Sequence, residues 1–177
     1  MQFLSQKLLS RVIVIMAMSC STPLFAAEVG ESAPDLSLPL IVNQAQNAET
    51  VSLSDHQGKI IYLDFWASWC PPCLLSMPIM NEMRNRLQSQ GLPFEVIAVN
   101  VDSDVEDGMD FLLDKPVDFI VLTDPQGETP ARYKIKGMPT SFLISAAGVI
   151  EMKHEGFKQS DAAMIEKEIL RLSELSQ

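Results

Sequence analysis

The chain has 177 residues, three cysteines and a formal net charge of −10, and 47% of its residues are hydrophobic. A surface this acidic disfavours nucleic acids and anionic membranes as partners. Three cysteines exclude a framework of several structural disulfides, so the fold must depend on a hydrophobic core, which a chain of this length is able to bury.

The N-terminal segment has the features of a secretory signal peptide. Lys7 and Arg11 precede an uncharged stretch, Val12–Met18, and the small residues Ala26 and Ala27 follow. A basic start, a short apolar stretch and a small-residue exit are typical of exported proteins. The stretch is shorter than the roughly 20 residues that cross a bilayer. We therefore predict export, with cleavage after Ala26 or Ala27.

Cys20 supports a second interpretation of the same segment. Residues 17–20 resemble the cleavage box of a bacterial lipoprotein, although Ala17 replaces the usual Leu. Cleavage there would make Cys20 the lipidated N-terminus. Cleavage after Ala27 would instead remove Cys20 and two basic residues. That would leave 28–177 as one domain with a net charge of −12.

Three strands are predicted before the remaining two cysteines. Leu36–Ile41 and Val51–Leu53 predict an N-terminal β-hairpin. Ile60–Phe65 is a short apolar run bounded by Gly58, which predicts a buried strand.

A helix is predicted after the buried strand, over Pro71–Gln90. Gly91 and Pro93 follow it in the order that is typical of a helix end. Its apolar face is expected to carry residues at four-residue spacing: Leu75, Ile79, Met83 and Leu87, with Met80 beside them.

The rest of the chain alternates between strands and helices before a final hairpin and helix. The predicted elements are Phe94–Val101 (strand), Val105–Lys115 (helix), Asp118–Leu122 (strand), Thr129–Lys134 (short helix), Thr140–Ser145 with Val149–His154 (hairpin) and Ser160–Leu175 (helix). Ser160 is the expected N-cap of the last helix, whose apolar positions include Ala163, Ile165, Ile169 and Leu172. This order predicts an α/β fold with a mixed sheet flanked by helices.

Cys70 and Cys73 lie where the predicted buried strand meets the predicted helix. Unpaired N–H groups at a helix N-terminus favour a thiolate, and comparable cysteines have pKa values of about 3.5 to 7 against about 8.5 for a free cysteine. Cys73, one turn later, is placed to displace a partner from Cys70. Pro71 and Pro72 are compatible with a first helical turn and stiffen it. The pair therefore predicts a redox-active disulfide and no other cofactor.

Three other interpretations of the cysteines and of a nearby acidic run fit the sequence less well. A structural bridge across two residues would stabilise the fold little, and a zinc site needs four ligands, so no metal is predicted. The acidic run at 102–108 resembles a calcium loop only superficially. Gly108 falls at position seven rather than six, and Leu113 occupies the twelfth position instead of Glu. We interpret this run as a solvated loop between a strand and a helix.

The segment Asp64–Cys73 resembles the active site of thioredoxin-fold proteins, and in particular of the TlpA-like and ResA-like periplasmic thiol–disulfide oxidoreductases. Further matching motifs are Ala33-Pro34-Asp35, Leu53-Ser54-Asp55, Gly58-Lys59 and Gly137-Met138-Pro139-Thr140. Together they cover most of 28–177. The resemblance implies a thioredoxin fold with an N-terminal β-hairpin and a central strand–helix insertion near Val96–Lys115. It also implies a periplasmic location, and we expect a monomer.

The resemblance implies roles for residues around the cysteine pair. Cys70 is the nucleophile, and Cys73 resolves the mixed disulfide. Pro139 matches a cis-proline that leaves the backbone of Met138 free to pair with a substrate strand. Asp64 matches a buried acid of raised pKa that moves a proton to or from Cys73. The other expected substrate contacts are Trp69, Pro71 and Pro72.

The expected partners are periplasmic proteins that carry thiols or disulfides, together with a membrane electron donor. The family leans towards reductases, some of which act in cytochrome c maturation. Those members carry an acidic residue three positions after the second cysteine, where this chain has Ser76. Leu74 and Leu75 replace their polar neighbours. The resemblance therefore supports dithiol exchange in general more strongly than action on apocytochrome c.

Two alternative functions remain open at this point. A peroxiredoxin-like peroxidase shares the Ala33-Pro34-Asp35 opening, but such enzymes need Thr at the position that Ser68 occupies. A copper-handling protein or chaperone of the same fold would use the two thiols as soft metal ligands.

Overall fold

The structure is a computed structural model that describes residues 27–42 and 49–175. The predicted signal peptide, except for Ala27, and the predicted lipid anchor at Cys20 lie outside these residues. Within the described part of the chain, no helix combines the length and the apolar character that a membrane span requires.

The described residues form two sheets, four α-helices and one short 3₁₀ helix. In chain order they are β1 (Ser37–Pro39), β2 (Thr50–Ser52), the 3₁₀ helix Leu53–His56, β3 (Ile60–Trp66), α1 (Pro71–Ser89), β4 (Phe94–Asn100), α2 (Val105–Asp114), β5 (Ile120–Thr123), α3 (Glu128–Arg132), β6 (Thr140–Ile144), β7 (Ile150–Glu155) and α4 (Asp161–Leu175). β1 and β2 form the predicted N-terminal hairpin. The central sheet has the order β5-β4-β3-β6-β7, in which β3, β4 and β5 are parallel and β6 and β7 are antiparallel. The predicted mixed α/β fold is confirmed.

The two central strands are buried along their whole length. Helices cover both faces of a sheet of this kind, so β3 and β4 are apolar runs with little alternation. Tyr62 and Trp66 face a core cluster shared with α1 and α4. Leu63 and Phe65 face the other side, where Phe65 lies 5.3 Å from the ring of Tyr133. Burial on both faces fixes the position of the loop that follows β3.

The buried face of α1 differs from the predicted one. Leu75 is 45% exposed and Ile79 is only half-buried. A spacing of four residues advances about 40° beyond a full helical turn at each step, so Leu75 lies far around the helix from Leu87. The residues that α1 buries are Cys73, Ser76, Met77, Met80, Met83 and Leu87.

Two smaller expectations are also corrected. In α4, Ala163 is exposed, whereas Ile165, Ile169 and Leu172 are buried as predicted. β5 begins at Ile120 rather than at Asp118, because Asp118 instead bonds to α1. Its backbone N–H donates to Asn81 Oδ1 at 2.8 Å, and its carboxylate accepts from two Asn side chains of that helix.

Candidate active site

The two cysteines of the described chain are bridged at the N-terminus of α1. Cys70 is the N-cap residue with extended backbone angles, and Cys73 lies in the first turn. The Cα atoms are 5.3 Å apart. Hydrogen bonds hold the backbone on both sides of Cys70, because its N–H donates to Ala67 O at 3.1 Å and its carbonyl accepts from Cys73 N at 2.9 Å. This places the Cys70 sulfur at the positive end of a 19-residue helix.

The two sulfur-bearing residues differ in accessibility. Cys70 is 4% exposed, whereas Cys73 is fully buried. Pro71 and Pro72 are exposed beside them, and Trp69 is 66% exposed. A large protein partner therefore meets Cys70 before Cys73.

Met138 and Pro139 lie at the same end of the sheet, immediately before β6. Their peptide bond is cis. The Met138 side chain packs against the core cluster that contains both cysteines, and the Pro139 carbonyl accepts a hydrogen bond from Gly156 at 2.8 Å. Within the described residues, the backbone N–H and C=O of Met138 make no hydrogen bond. They are therefore available to an incoming peptide.

Asp64 lies in the middle of β3, on the sheet face that α1 and α4 cover. It is 3% exposed, and no Lys, Arg or His nitrogen of the described residues lies within 4.0 Å of its carboxylate. Burial raises the pKa of Asp64 to about 8, although a hydrogen bond from the backbone of Phe65 acts in the opposite direction. At neutral pH this carboxyl group is largely protonated and is able to exchange a proton.

A row of polar side chains runs from Asp64 towards the surface. Asp64 is paired with Ser141 on β6, and Ser141 is paired with His154 on β7. Directly opposed residues share a sheet face, with Cβ atoms about 4.5–5.5 Å apart. His154 Nε2 lies 3.2 Å from Asp161 Oδ2 at the start of α4. Asp64, Ser141 and His154 thus lie side by side on one face of the sheet, from the buried acid to the sheet edge, and the sequence alone did not reveal this arrangement.

Asp102 is the main feature that was misinterpreted in the sequence. We expected it in a solvated loop, but it is 1% exposed. Its carboxylate accepts hydrogen bonds from Ser68 and Asn100. The signals were present, since Asn100 ends a buried strand, Asp102 lies two residues later and Gly108 lies inside a helix. The burial of Asp102 could not be predicted from these signals, because it depends on the loop after β4 lying next to the loop after β3.

The predicted site residues are therefore divided between two regions. Five surround the exposed edge at the helix N-terminus: Cys70, Trp69, Pro71, Pro72 and Met138. Cys73, Pro139 and Asp64 lie in the interior. Among the residues that the structure describes, no three His, Cys, Asp or Glu side chains are grouped as metal ligands.

The sequence matches the Redoxin family over residues 28–169. It is 38% identical over 128 residues to the thiol-disulfide oxidoreductase ResA of Oceanobacillus iheyensis. The aligned region covers 70% of this chain and 62% of that protein. The chain thus spans less than two thirds of the length of that relative. ResA of Bacillus thuringiensis is 33% identical over 134 residues, which cover 75% of this chain and 73% of that protein.

A crystal structure from Chlorobium tepidum, of a protein assigned as thiol:disulfide interchange protein DsbE, has a similar fold. It superposes with a TM-score of 0.75 at 43% sequence identity and covers 82% of this chain and 98% of its own. This likeness shows that the chain has a thioredoxin fold with a central mixed sheet.

Proposed function

This chain belongs to the Redoxin family, among the thiol–disulfide oxidoreductases related to ResA, and on that premise we propose that it reduces disulfides of partner proteins in the periplasm. The observation that carries the proposal is the Cys70–Cys73 bridge at the N-terminus of α1. Such a site lowers the pKa of a thiol and keeps it reactive near neutral pH. Export by the N-terminal segment would place the protein where partner disulfides persist.

The proposed reaction begins with reduced protein, in which Cys70 is a thiolate and Cys73 a thiol. Cys70 Sγ attacks one sulfur of the partner disulfide, forms a mixed disulfide and releases the other sulfur as a thiolate. Cys73 then loses its proton and attacks Cys70 Sγ, which closes the internal disulfide and releases the second partner sulfur. Two electrons pass to the partner. One of the two protons comes from Cys73 and the other from solvent.

The ionised fraction of Asp64 that is present near neutral pH is the proposed proton acceptor for Cys73 in the second step. Cys73 is buried, so bulk water has little access to its proton. A carboxyl group with a pKa of about 8 on the sheet face beneath α1 is matched to that task, because it changes protonation near neutral pH.

Partner binding is proposed to use the exposed edge of the site. The unpaired backbone groups of Met138 would hydrogen-bond an extended peptide segment as an added strand. Trp69, Pro71 and Pro72 would frame the partner disulfide. The hydroxyl of Ser76 donates to the carbonyl of Cys73 at 2.9 Å, and Ser76 is buried. Serine is not acidic, so this position lacks the acidic group that the resemblance leads us to expect in cytochrome c maturation proteins. We therefore propose partner disulfides in general as substrates, with a membrane thiol donor restoring the reduced state.

The equilibrium redox potential of the Cys70–Cys73 pair tests the direction of the reaction. A reductant is expected to have a potential closer to that of thioredoxin, about −270 mV, than to that of the oxidant DsbA, about −120 mV. The measurement is titration with glutathione or dithiothreitol buffers, followed by quantification of free thiols. A Cys70→Ser, Cys73→Ser protein is the control and should show no transition. A potential near the oxidising limit would assign the chain to disulfide formation instead.

A further inference from the structure

Two loops meet at the edge of the sheet that carries the cysteines. β3 and β4 are parallel neighbours in which Trp66 is paired with Asn100. The segments that follow both strands therefore leave the sheet side by side, and Val101 N donates to Trp66 O at 3.0 Å. The loop after β3 leads to Cys70, and the loop after β4 contains Asp102.

The Asp102 carboxylate binds the loop that precedes Cys70. The backbone N–H of Ser68 donates to both carboxylate oxygens, at 3.2 and 3.0 Å, and the Ser68 hydroxyl donates to Oδ1 at 3.2 Å. Asn100 Nδ2 donates to Oδ2 at 2.7 Å, while Asn100 Oδ1 accepts from Asp102 N at 3.2 Å. Ser68 and Asn100 thus both bond to one buried acid.

The groups around Asp102 require an acceptor rather than an amide. The Ser68 N–H, the Ser68 hydroxyl and the Asn100 amide all donate to its oxygens, and an ionised carboxylate is an acceptor only. No Lys, Arg or His nitrogen in the described part of the chain lies within 4.0 Å of it. The carboxylate is therefore stabilised by hydrogen bonds alone. An asparagine at this position would direct its own N–H₂ group towards another donor.

Ser68 occupies the turn that ends at the nucleophile. Cys70 N donates to Ala67 O at 3.1 Å, so Ala67–Cys70 form one hydrogen-bonded turn. Asp102 anchors the second residue of this turn, and Cys70 is its last residue. Movement of Ser68 would shift the Cys70 sulfur relative to the N–H groups at the start of α1.

Gly108 supports the same arrangement from the other side. A Cβ atom at this position of α2 would lie 2.7–3.0 Å from the side-chain atoms of Asn100. α2 therefore packs its backbone directly on the Asn100 amide, and this contact holds Asn100 against Asp102. A glycine within a helix is otherwise unfavourable. The close approach is the physical reason for its presence.

We propose that Asp102 is a positioning residue for dithiol exchange, which fixes the Ala67–Cys70 turn through Ser68 so that the Cys70 sulfur lies at the N-terminus of α1. Asn100 and Gly108 hold Asp102 in place. This proposal rests on the proposed function, because it concerns the reactivity of the same cysteine.

The test is the pH dependence of Cys70 alkylation by iodoacetamide in an Asp102→Asn protein. Cys20→Ser and Cys73→Ser in the background leave Cys70 as the only thiol. We expect the midpoint to move up by roughly one pH unit, towards the value of about 8.5 of a free cysteine. If Asp102 acted only through its negative charge, its removal would lower the midpoint, because the Cys70 thiolate would be less repelled. If Asp102 acted only on stability, the midpoint would not change. Asp104→Asn is the matched control, because it removes a charge from an exposed residue of the same loop and preserves helix capping.

Gly108→Ala provides a second variant that retains the Asp102 charge. Its methyl group would displace Asn100, and we expect a smaller rise of the midpoint, with alkylation at pH 7 slowed about threefold. If the Asp102→Asn protein fails to fold, the midpoint of the Gly108→Ala protein tests whether Asp102 positions the Ala67–Cys70 turn. An unchanged or lower midpoint in the variant that folds would overturn the positioning role. Failure of the wild-type protein to reduce insulin would contradict the proposed function itself, whatever the difference between the variants.

Discussion

Replacing Cys70 by serine is expected to abolish disulfide reduction, with a loss of rate of about a thousandfold or more. A serine hydroxyl is not ionised near neutral pH and forms no disulfide, so neither the first attack nor the internal disulfide remains. Insulin reduction with dithiothreitol as the electron source measures this directly. The more accessible position of Cys70 relative to Cys73 assigns it the first step.

Cys73→Ser is expected to separate the two steps of the reaction. Cys70 would still attack a partner, but the mixed disulfide would persist because the resolving sulfur is absent. Trapped complexes should appear on non-reducing gels and disappear after reduction. Cys20→Ser is the matched control, since it removes the third cysteine of the chain, which lies outside the described residues. Full turnover by the Cys70→Ser, Cys73→Ser protein would refute the catalytic assignment.

Asp64→Asn is expected to raise the free energy of unfolding at neutral pH. Burial raises the pKa of Asp64 from 3.8 to about 8, so the folded protein retains a proton that the unfolded chain has released. Stability therefore falls as the pH rises from about 4 to 8, because the folded state binds more protons. pH 7 lies about three pH units above the pKa of this group in the unfolded chain. The burial of Asp64 therefore lowers the free energy of unfolding at pH 7 by on the order of 4 kcal/mol. Asparagine avoids this penalty because it is never ionised.

Urea unfolding of the oxidised protein between pH 4 and pH 9 measures the effect. The stability difference between Asp64→Asn and wild type should be near zero at pH 4, grow up to about pH 8 and then remain constant. Asp104→Asn, an exposed substitution of the same kind, should show no such growth. A difference that does not depend on pH would mean that Asp64 is already ionised in the folded protein.

The same substitution is expected to slow catalysis. Without a carboxylate to accept the Cys73 proton, resolution of the mixed disulfide should slow roughly ten- to a hundredfold at pH 7, at the lower end of general acid–base effects. Insulin reduction and the decay of the mixed disulfide both measure this step. A variant that is more stable but equally active would give Asp64 a role in stability alone. Greater stability together with slower resolution supports the proton-transfer role.

The strands and most helix positions were predictable from the sequence because their signals are local. β3 and β4 are continuous apolar runs, and α1 ends at a Gly and Pro in the usual order. The Cys-Pro-Pro-Cys segment between a strand and a helix also has a local meaning, since the start of a helix leaves N–H groups unpaired whatever surrounds it. Where local spacing was ambiguous, as for Leu75 on α1, the packing of the helix against the sheet decided which face is buried.

By itself, the sequence determined the α/β order of the elements and the position of Cys70 and Cys73 at a helix N-terminus. It contained Asp102 and Asn100 but could not show that they are buried. Their environment depends on the parallel pairing of β3 with β4, which brings residues 34 positions apart in the chain into hydrogen-bond contact. The row from Asp64 through Ser141 to His154 likewise exists only once β3, β6 and β7 are in register. Burial and the pKa of an acid are set by everything packed around it, so only the tertiary structure decided which carboxyl groups belong to the site.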